Sequence, residues 1–109
     1  MNDADKDLLR TAQETCLSCD GVSRMSSRYS SAVDGTLKNI GLDSGVKGVR
    51  MTREKNDLVF DLYLKVGYGE NIPVLAWNIQ KLVKEKLEQR SGEKIKEVNI
   101  HVQGVDLNE

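Results

Sequence analysis

The clearest alternation in the chain runs through "LVFDLYLKV". Leu58, Phe60, Leu62, Leu64 and Val66 fall on one side, and Val59, Asp61, Tyr63 and Lys65 on the other. A period of two puts successive side chains on opposite faces, so this is a strand with one covered face and one largely polar face. "VKGVRMT" before it reads as a second strand and "REKND" as the turn between them. After "GYGEN" the period changes. Ile72, Leu75, Ala76, Ile79, Leu82, Val83 and Leu87 form a broad stripe at helical spacing, predicting a helix from about Ile72 to Arg90 that packs on the sheet. Asn71 is suited to cap its start, Pro73 falls in the tolerated first turn, and Gly92 ends it. A closing strand runs from about Ile95 to Val105, with Val98, Ile100 and Val102 toward the core and Asn99, His101 and Gln103 opposite.

The first half is less sharply patterned. Leu8, Ala12, Cys16 and Cys19 share a face of a predicted helix over residues 5 to about 19. Asn2, Asp3 and Asp5 are candidate caps, and Gly21 is the stop. Residues 23–48 are polar and glycine-punctuated. They are expected to be less regular and mobile, with a short helix conceivable near Ser31 to Ile40. The expected fold is therefore α+β. It has an N-terminal helix, a β-hairpin, a long helix and a closing strand (α-β-β-α-β), forming a small sheet with helices on one face of a single domain.

Composition narrows the function classes. The 109 residues carry 16 basic and 17 acidic side chains, so no global field draws the chain to nucleic acid or an anionic surface. No stretch approaches the roughly 20 apolar residues that span a bilayer, and the acidic "MNDADKDLLR" is not a secretory signal. A cytoplasmic location with no direct membrane insertion is the expectation.

Cys16 and Cys19 are the only cysteines. A reactive CxxC pair sits at a helix start, where the dipole lowers the thiol pKa. These two sit near a helix end and on its apolar side, as two small core residues would. A disulfide or a shared metal site is the alternative, but His101 is the only histidine and zinc needs further ligands. No catalytic, cofactor-binding or metal-binding residue is assigned, and no cofactor or small-molecule substrate is expected. "GVKG" at residues 45–48 matches the GxxG of the KH RNA-binding loop, but it leads into a strand where that loop joins two helices. It reads as a turn first.

Two surfaces remain as candidates for contact. Trp77 falls away from the apolar stripe, together with Val74, Lys81 and Lys84. Exposed, this group suits a protein–protein anchor; otherwise the N-terminal helix or the 23–48 segment covers it. The second is the polar sheet face of Asp61, Tyr63, Lys65, Asn99, His101 and Gln103.

The stretch "VFDLYLKVGYGENIPVLAWNIQKLVKEKLEQRSGEKIKEVNIHVQGV" resembles the bacterial alkaline shock protein family, also called general stress or envelope stress response proteins. The pieces that carry the likeness are "VGYG", "NIP", the "AWNIQ…VKEKLE" helix and the closing "KEVNIHVQGV", with weaker matches at "DGV", "VDG" and "KGV". The resemblance implies a non-enzymatic bacterial protein of cell-envelope homeostasis, typically Gram-positive. It implies self-association into a homo-oligomer and an integral-membrane protein partner that holds it at the membrane periphery. A KH-like single-stranded RNA-binding module and a thiol redox protein stand as alternatives.

Overall fold

The computed structural model describes residues 3–26 and 45–107. Its elements are α1 (Asp3–Leu17), β1 (Val22–Met25), β2 (Val49–Glu54), β3 (Asp57–Gly67), α2 (Ile72–Ser91) and β4 (Ile95–Asp106). The fold is α+β as expected, but the order is α-β-β-β-α-β. The added strand, β1, corrects the expectation that irregular structure begins at residue 23. The conceivable helix over 31–40 lies outside the described residues.

β3 is the axis of the sheet. β1 pairs antiparallel with its second half (Met25 opposite Leu64), and β2 pairs antiparallel with its first half (Val49 opposite Leu62, Glu54 opposite Asp57). β4 runs parallel to β3 along its whole length. That pairing requires a crossover, and α2 provides it. Its cap is the one expected: the Asn71 side chain accepts from the Val74 backbone N–H at 3.2 Å. Gly92 closes the helix at φ 73°, and its N–H donates to Glu88 O at 2.9 Å.

Both helices lie on one face. Leu58, Phe60, Leu62, Leu64 and Val66 are buried beneath them, with Leu8, Leu9, Ala12 and Cys16 from α1 and Leu75, Ile79, Val83 and Leu87 from α2. Leu82 departs from the predicted stripe. It is 44% exposed because it lies at the groove between the two helices, not above the sheet.

Charged side chains then fasten the layers at their ends. Arg53 of β2 donates to Asp5 on α1 (2.9 Å) and to Glu93 after α2 (3.0 Å), and Arg90 forms a two-pronged pair with Asp7 (2.9 and 3.1 Å). Exposed pairs of this kind contribute roughly 0–1 kcal/mol each, so they orient the helices more than they hold them. At the other end Asp106 accepts from Ser23 Oγ (2.6 Å) and from Arg24 Nε (2.9 Å), joining β4 to β1 across β3.

No described strand pairs with the outer edge of β4, and two irregularities interrupt it. Register passes from Leu58–Ile95 to Val59–Glu97 and from Leu64–Val102 to Lys65–Gly104, so Lys96 and Gln103 are extra residues. Gln103 is therefore a bulge residue and not a regular member of the polar face. Bulges of this kind twist an edge away from further pairing. The Gln80 side chain adds to this by donating to Val98 O at 2.9 Å.

Candidate functional site

The polar sheet face is built by register. Arg50 on β2, Asp61 on β3 and Asn99 on β4 form one cross-strand row, and Tyr63 stands opposite His101 in the next. The Asp61 carboxylate accepts from His101 Nε2 (2.9 Å), Asn99 Nδ2 (3.2 Å) and Arg50 Nη2 (3.5 Å). With the carboxylate as acceptor, the imidazole donates from Nε2. The imidazole stacks on the Tyr63 ring, with centroids 4.4 Å apart and planes 10° from parallel. Arg50 Nε is buried without a hydrogen-bond partner.

This network changes the picture of the face. The alternation alone sets Asp61 and Tyr63 open to solvent; they are 7% and 9% exposed. Asp61 sits beneath the three side chains that donate to it and Tyr63 carries the His101 ring, so both hold their neighbours in place. Those three, with Lys65, stay partly accessible. Buried, mutually bonded polar groups of this kind rigidify a face when satisfied.

The cysteines are core residues. Cys16 is fully buried and Cys19 is 9% exposed, and both are free thiols. Burial, reinforced by the neighbouring Cys19, pushes the Cys16 thiol up to about 12. Burial and then the Asp20 charge raise Cys19 as well. A reactive thiolate requires the opposite shift. α1 ends at Leu17, so Cys19 falls in the following turn, where its Sγ lies 3.5 Å from Thr15 O. Among the described residues no group of three or more His, Cys, Asp and Glu is placed to hold a metal.

"GVKG" forms the turn into β2. Gly45 and Gly48 both have positive φ (83° and 79°), and Val46 and Gly48 are buried. A Cβ at Gly48 would lie 2.8 Å from Tyr63 O and 2.9 Å from the Met25 side chain, so this glycine is required by close strand packing.

The outer face of α2 is open. Trp77 is 59% exposed and Val74, one turn before it, 53%. Lys81 lies one turn after Trp77, with Nζ 5.2 Å from the ring centroid, a cation–π contact that braces the indole at the surface. Lys84 is exposed on the same helix. Of the covers conceived from sequence, the N-terminal helix leaves Trp77 exposed, and most of the 23–48 segment lies outside the described residues.

Sequence reasoning missed two further surfaces. One is an open groove of about 810 Å³ between α1 and α2, lined among others by Arg10, Glu14, Leu82, Lys86 and Arg90. It exists only once the helices pack, so no local pattern announces it. The other is the apolar end formed by Tyr68, Val105 and Leu107, which are 70%, 50% and 71% exposed. Its signal in the sequence is a set of apolar residues at and just beyond strand ends.

A family model for the alkaline shock protein 23 family, described as having a cell envelope-related function, matches residues 4–107. The chain belongs to this alkaline shock family. The uncharacterized protein YloU of Bacillus subtilis (strain 168) is 33% identical over 87 residues, spanning 80% of this chain and 72% of YloU. YqhY of the same organism, also uncharacterized, is 27% identical over 89 residues, 82% of this chain and 64% of YqhY. The uncharacterized Spy1535 of Streptococcus pyogenes serotype M6 is 38% identical over 60 residues, 54% of this chain and 46% of Spy1535. The chain thus spans less than two thirds of the length of the latter two relatives. No solved structure matches. The resemblance read from the sequence and the family match name the same kind of family. Among the described residues no helix is long and apolar enough to cross a membrane.

Proposed function

We propose that this alkaline shock family chain is a non-enzymatic protein of the cell envelope stress response, acting by self-association and by binding a membrane-associated partner. The observation that carries the reading is the outer face of α2. There Trp77 and Val74 are more than half exposed, and Lys81 Nζ lies 5.2 Å from the indole centroid, a contact that favours one placement of the ring by about 0.5–1 kcal/mol. Aromatic anchors ordered before contact lose less freedom on binding, which is what makes them dominate protein interfaces. The sheet face supplies a second, polar surface through Lys65, Asn99 and His101. Its rigidity comes from the buried Asp61 and Tyr63.

The alternatives find less support. The thiols are held protonated inside the core, which does not suit redox exchange. Gly48 of the GxxG is packed against Tyr63 O and Met25, and the turn leads into β2, which does not suit a loop joining two helices.

Sedimentation velocity under reducing conditions, across a wide concentration range, tests the proposal. The wild-type chain is expected to grow into dimers or larger species, and Trp77→Ala to shift that growth to higher concentration while its circular dichroism is unchanged. Identical assembly of the two proteins would remove the α2 face as the surface of assembly.

A further inference from the structure

The outer side of the helix layer carries exposed apolar residues on both helices, and the charges around them are sorted by sign. On α2, Val74 and Trp77 are followed along the outer face by the exposed Lys81 and Lys84. The next acid on that face, Glu88, is half-buried and already accepts from the Ile95 N–H at 2.9 Å. On α1, Leu17 is 44% exposed. It stands between Glu14, one turn before it, and Asp20 in the turn that follows, both exposed. One helix thus offers an aromatic anchor among cations, and its neighbour an aliphatic one between anions. Leu82, also 44% exposed, lies in the groove between the two helices.

Trp77 set against a second Trp77 would gather the lysines of both copies around one contact, and like charges across an interface are costly. The surface that suits Trp77 is apolar and acidic, as the end of α1 is. The packing of the helices places that end correctly. Asp7 bonds to Arg90 at one end of the pair (2.9 Å), and Ser18 and Asp20 border a hollow with Asn78 and Lys81 at the other. The helices are therefore antiparallel, with known relative heights. A twofold axis laid along their groove exchanges α1 with α2 and preserves height. The second copy's α1 then crosses α2 at the height it already holds beside its own α2. At a rise of about 1.5 Å per residue, its Glu14 comes level with Lys84, and its Leu17 and Asp20 fall within a turn of Trp77 and Lys81. Its Arg10 comes level with Glu88. Leu82 lies near the axis and faces its own equivalent; Glu85 and Lys86 beside it leave no net charge there.

We infer that the outer face of the helix layer binds the same face of a second copy about this axis. Each copy's Trp77 rests on the other's Leu17, and its lysines meet the other's Glu14 and Asp20. The inference rests on the proposed self-association through Trp77 and names the surface that receives the indole. Such a contact is isologous and closed, so by itself it makes a dimer and not a chain. Its charges lie at the rim, so salt weakens it.

The test measures dimer dissociation constants of the full chain by sedimentation, with folding checked by circular dichroism. Leu17→Ser is expected to raise the constant about tenfold, since each dimer loses two aliphatic contacts. Glu14→Lys and Lys84→Glu are each expected to weaken the dimer about tenfold, because each turns two attractive pairs into repulsive ones. Mixed together, the two charge variants should dimerise with each other as tightly as the wild type, since both pairs are then attractive again. Leu17→Ser and Glu14→Lys proteins that dimerise like the wild type, while Trp77→Ala does not, would overturn the inference and leave Trp77 as the anchor on another surface. Charge variants that stay weak when mixed would also overturn it. Trp77→Ala assembling like the wild type, or a wild-type chain that stays monomeric, would remove both this inference and the proposed assembly through Trp77.

Discussion

Asp61→Asn offers the sharpest test of how the sheet face is held. Asp61 has three donors on its two oxygens: His101 and Asn99 on Oδ1, and Arg50 on Oδ2. An amide keeps one acceptor and turns an N–H₂ toward either Arg50 or the His101–Asn99 pair. One side then meets donor with donor. Breaking a fully buried charge pair costs about 3–5 kcal/mol. Here the Arg50 side chain is 25% exposed and that of His101 39%, so water screens part of the loss. The expected cost is about 2–3 kcal/mol, a large share of a stability that is roughly 5–15 kcal/mol for a domain. Asp61→Leu takes the acceptor from Arg50 and His101 and leaves Asn99 only its 3.5 Å contact with Glu97 Oε1, and should cost more, about 3–4 kcal/mol after the same screening. Adding Arg50→Met to Asp61→Leu should recover part of that, because an apolar pair replaces a stranded guanidinium. Urea unfolding followed by far-UV circular dichroism measures each variant against the wild type. Asp61→Leu as stable as the wild type, or strict additivity of Arg50→Met and Asp61→Leu, would refute the network.

The other outcomes follow from the glycines, the thiols and Asp106. Gly48→Ala should lose about 2–4 kcal/mol from left-handed strain and a clash with Tyr63 O. Gly92→Ala, which also has positive φ but open space around it, should lose only about 1 kcal/mol in the same urea assay. Both thiols should react with a disulfide reagent only on unfolding. The raised Cys16 pKa stabilises the fold below about pH 8.5, and that contribution should fade as pH rises toward about 12, a fading that Cys16→Ala removes from thermal melts. Asp106 is held down to about 2 by Arg24 and Ser23. Its contribution is complete above about pH 4 and should be lost as pH falls through about 2, with Asp106→Asn flattening that part of the acid profile.

The strongest signals in the sequence are those written by one period over many residues. The alternation of Leu58 to Val66 specifies the buried face of β3, and Asn71, Pro73 and Gly92 bracket α2 within one residue. β1 escapes such a reading because only four residues form it and only Met25 is buried; its pairing with Leu64–Val66 is a tertiary fact. A strict period of two puts Gln103 on the polar face because it cannot show a bulge. A wide apolar stripe puts Leu82 over the sheet because it does not say which part meets a second helix. Trp77 is legible as lying off the stripe, but whether anything covers it depends on where α1 packs. Asp61 is legible as polar-facing; its burial depends on the strands that bring Arg50, Asn99 and His101 to it. The family, by contrast, is legible from the residues between Val59 and Val105, in the region that the family model also matches.

The central claim is that the Trp77 face of α2 is the surface this protein uses to assemble. Acrylamide quenching of Trp77 across a protein concentration series, without lipid and alongside sedimentation, measures that surface itself. Quenching is expected to fall several-fold as larger species form, because a partner copy covers the indole. Larger species in which Trp77 stays as quenchable as in the dilute protein would contradict the claim and move the interface elsewhere on the molecule.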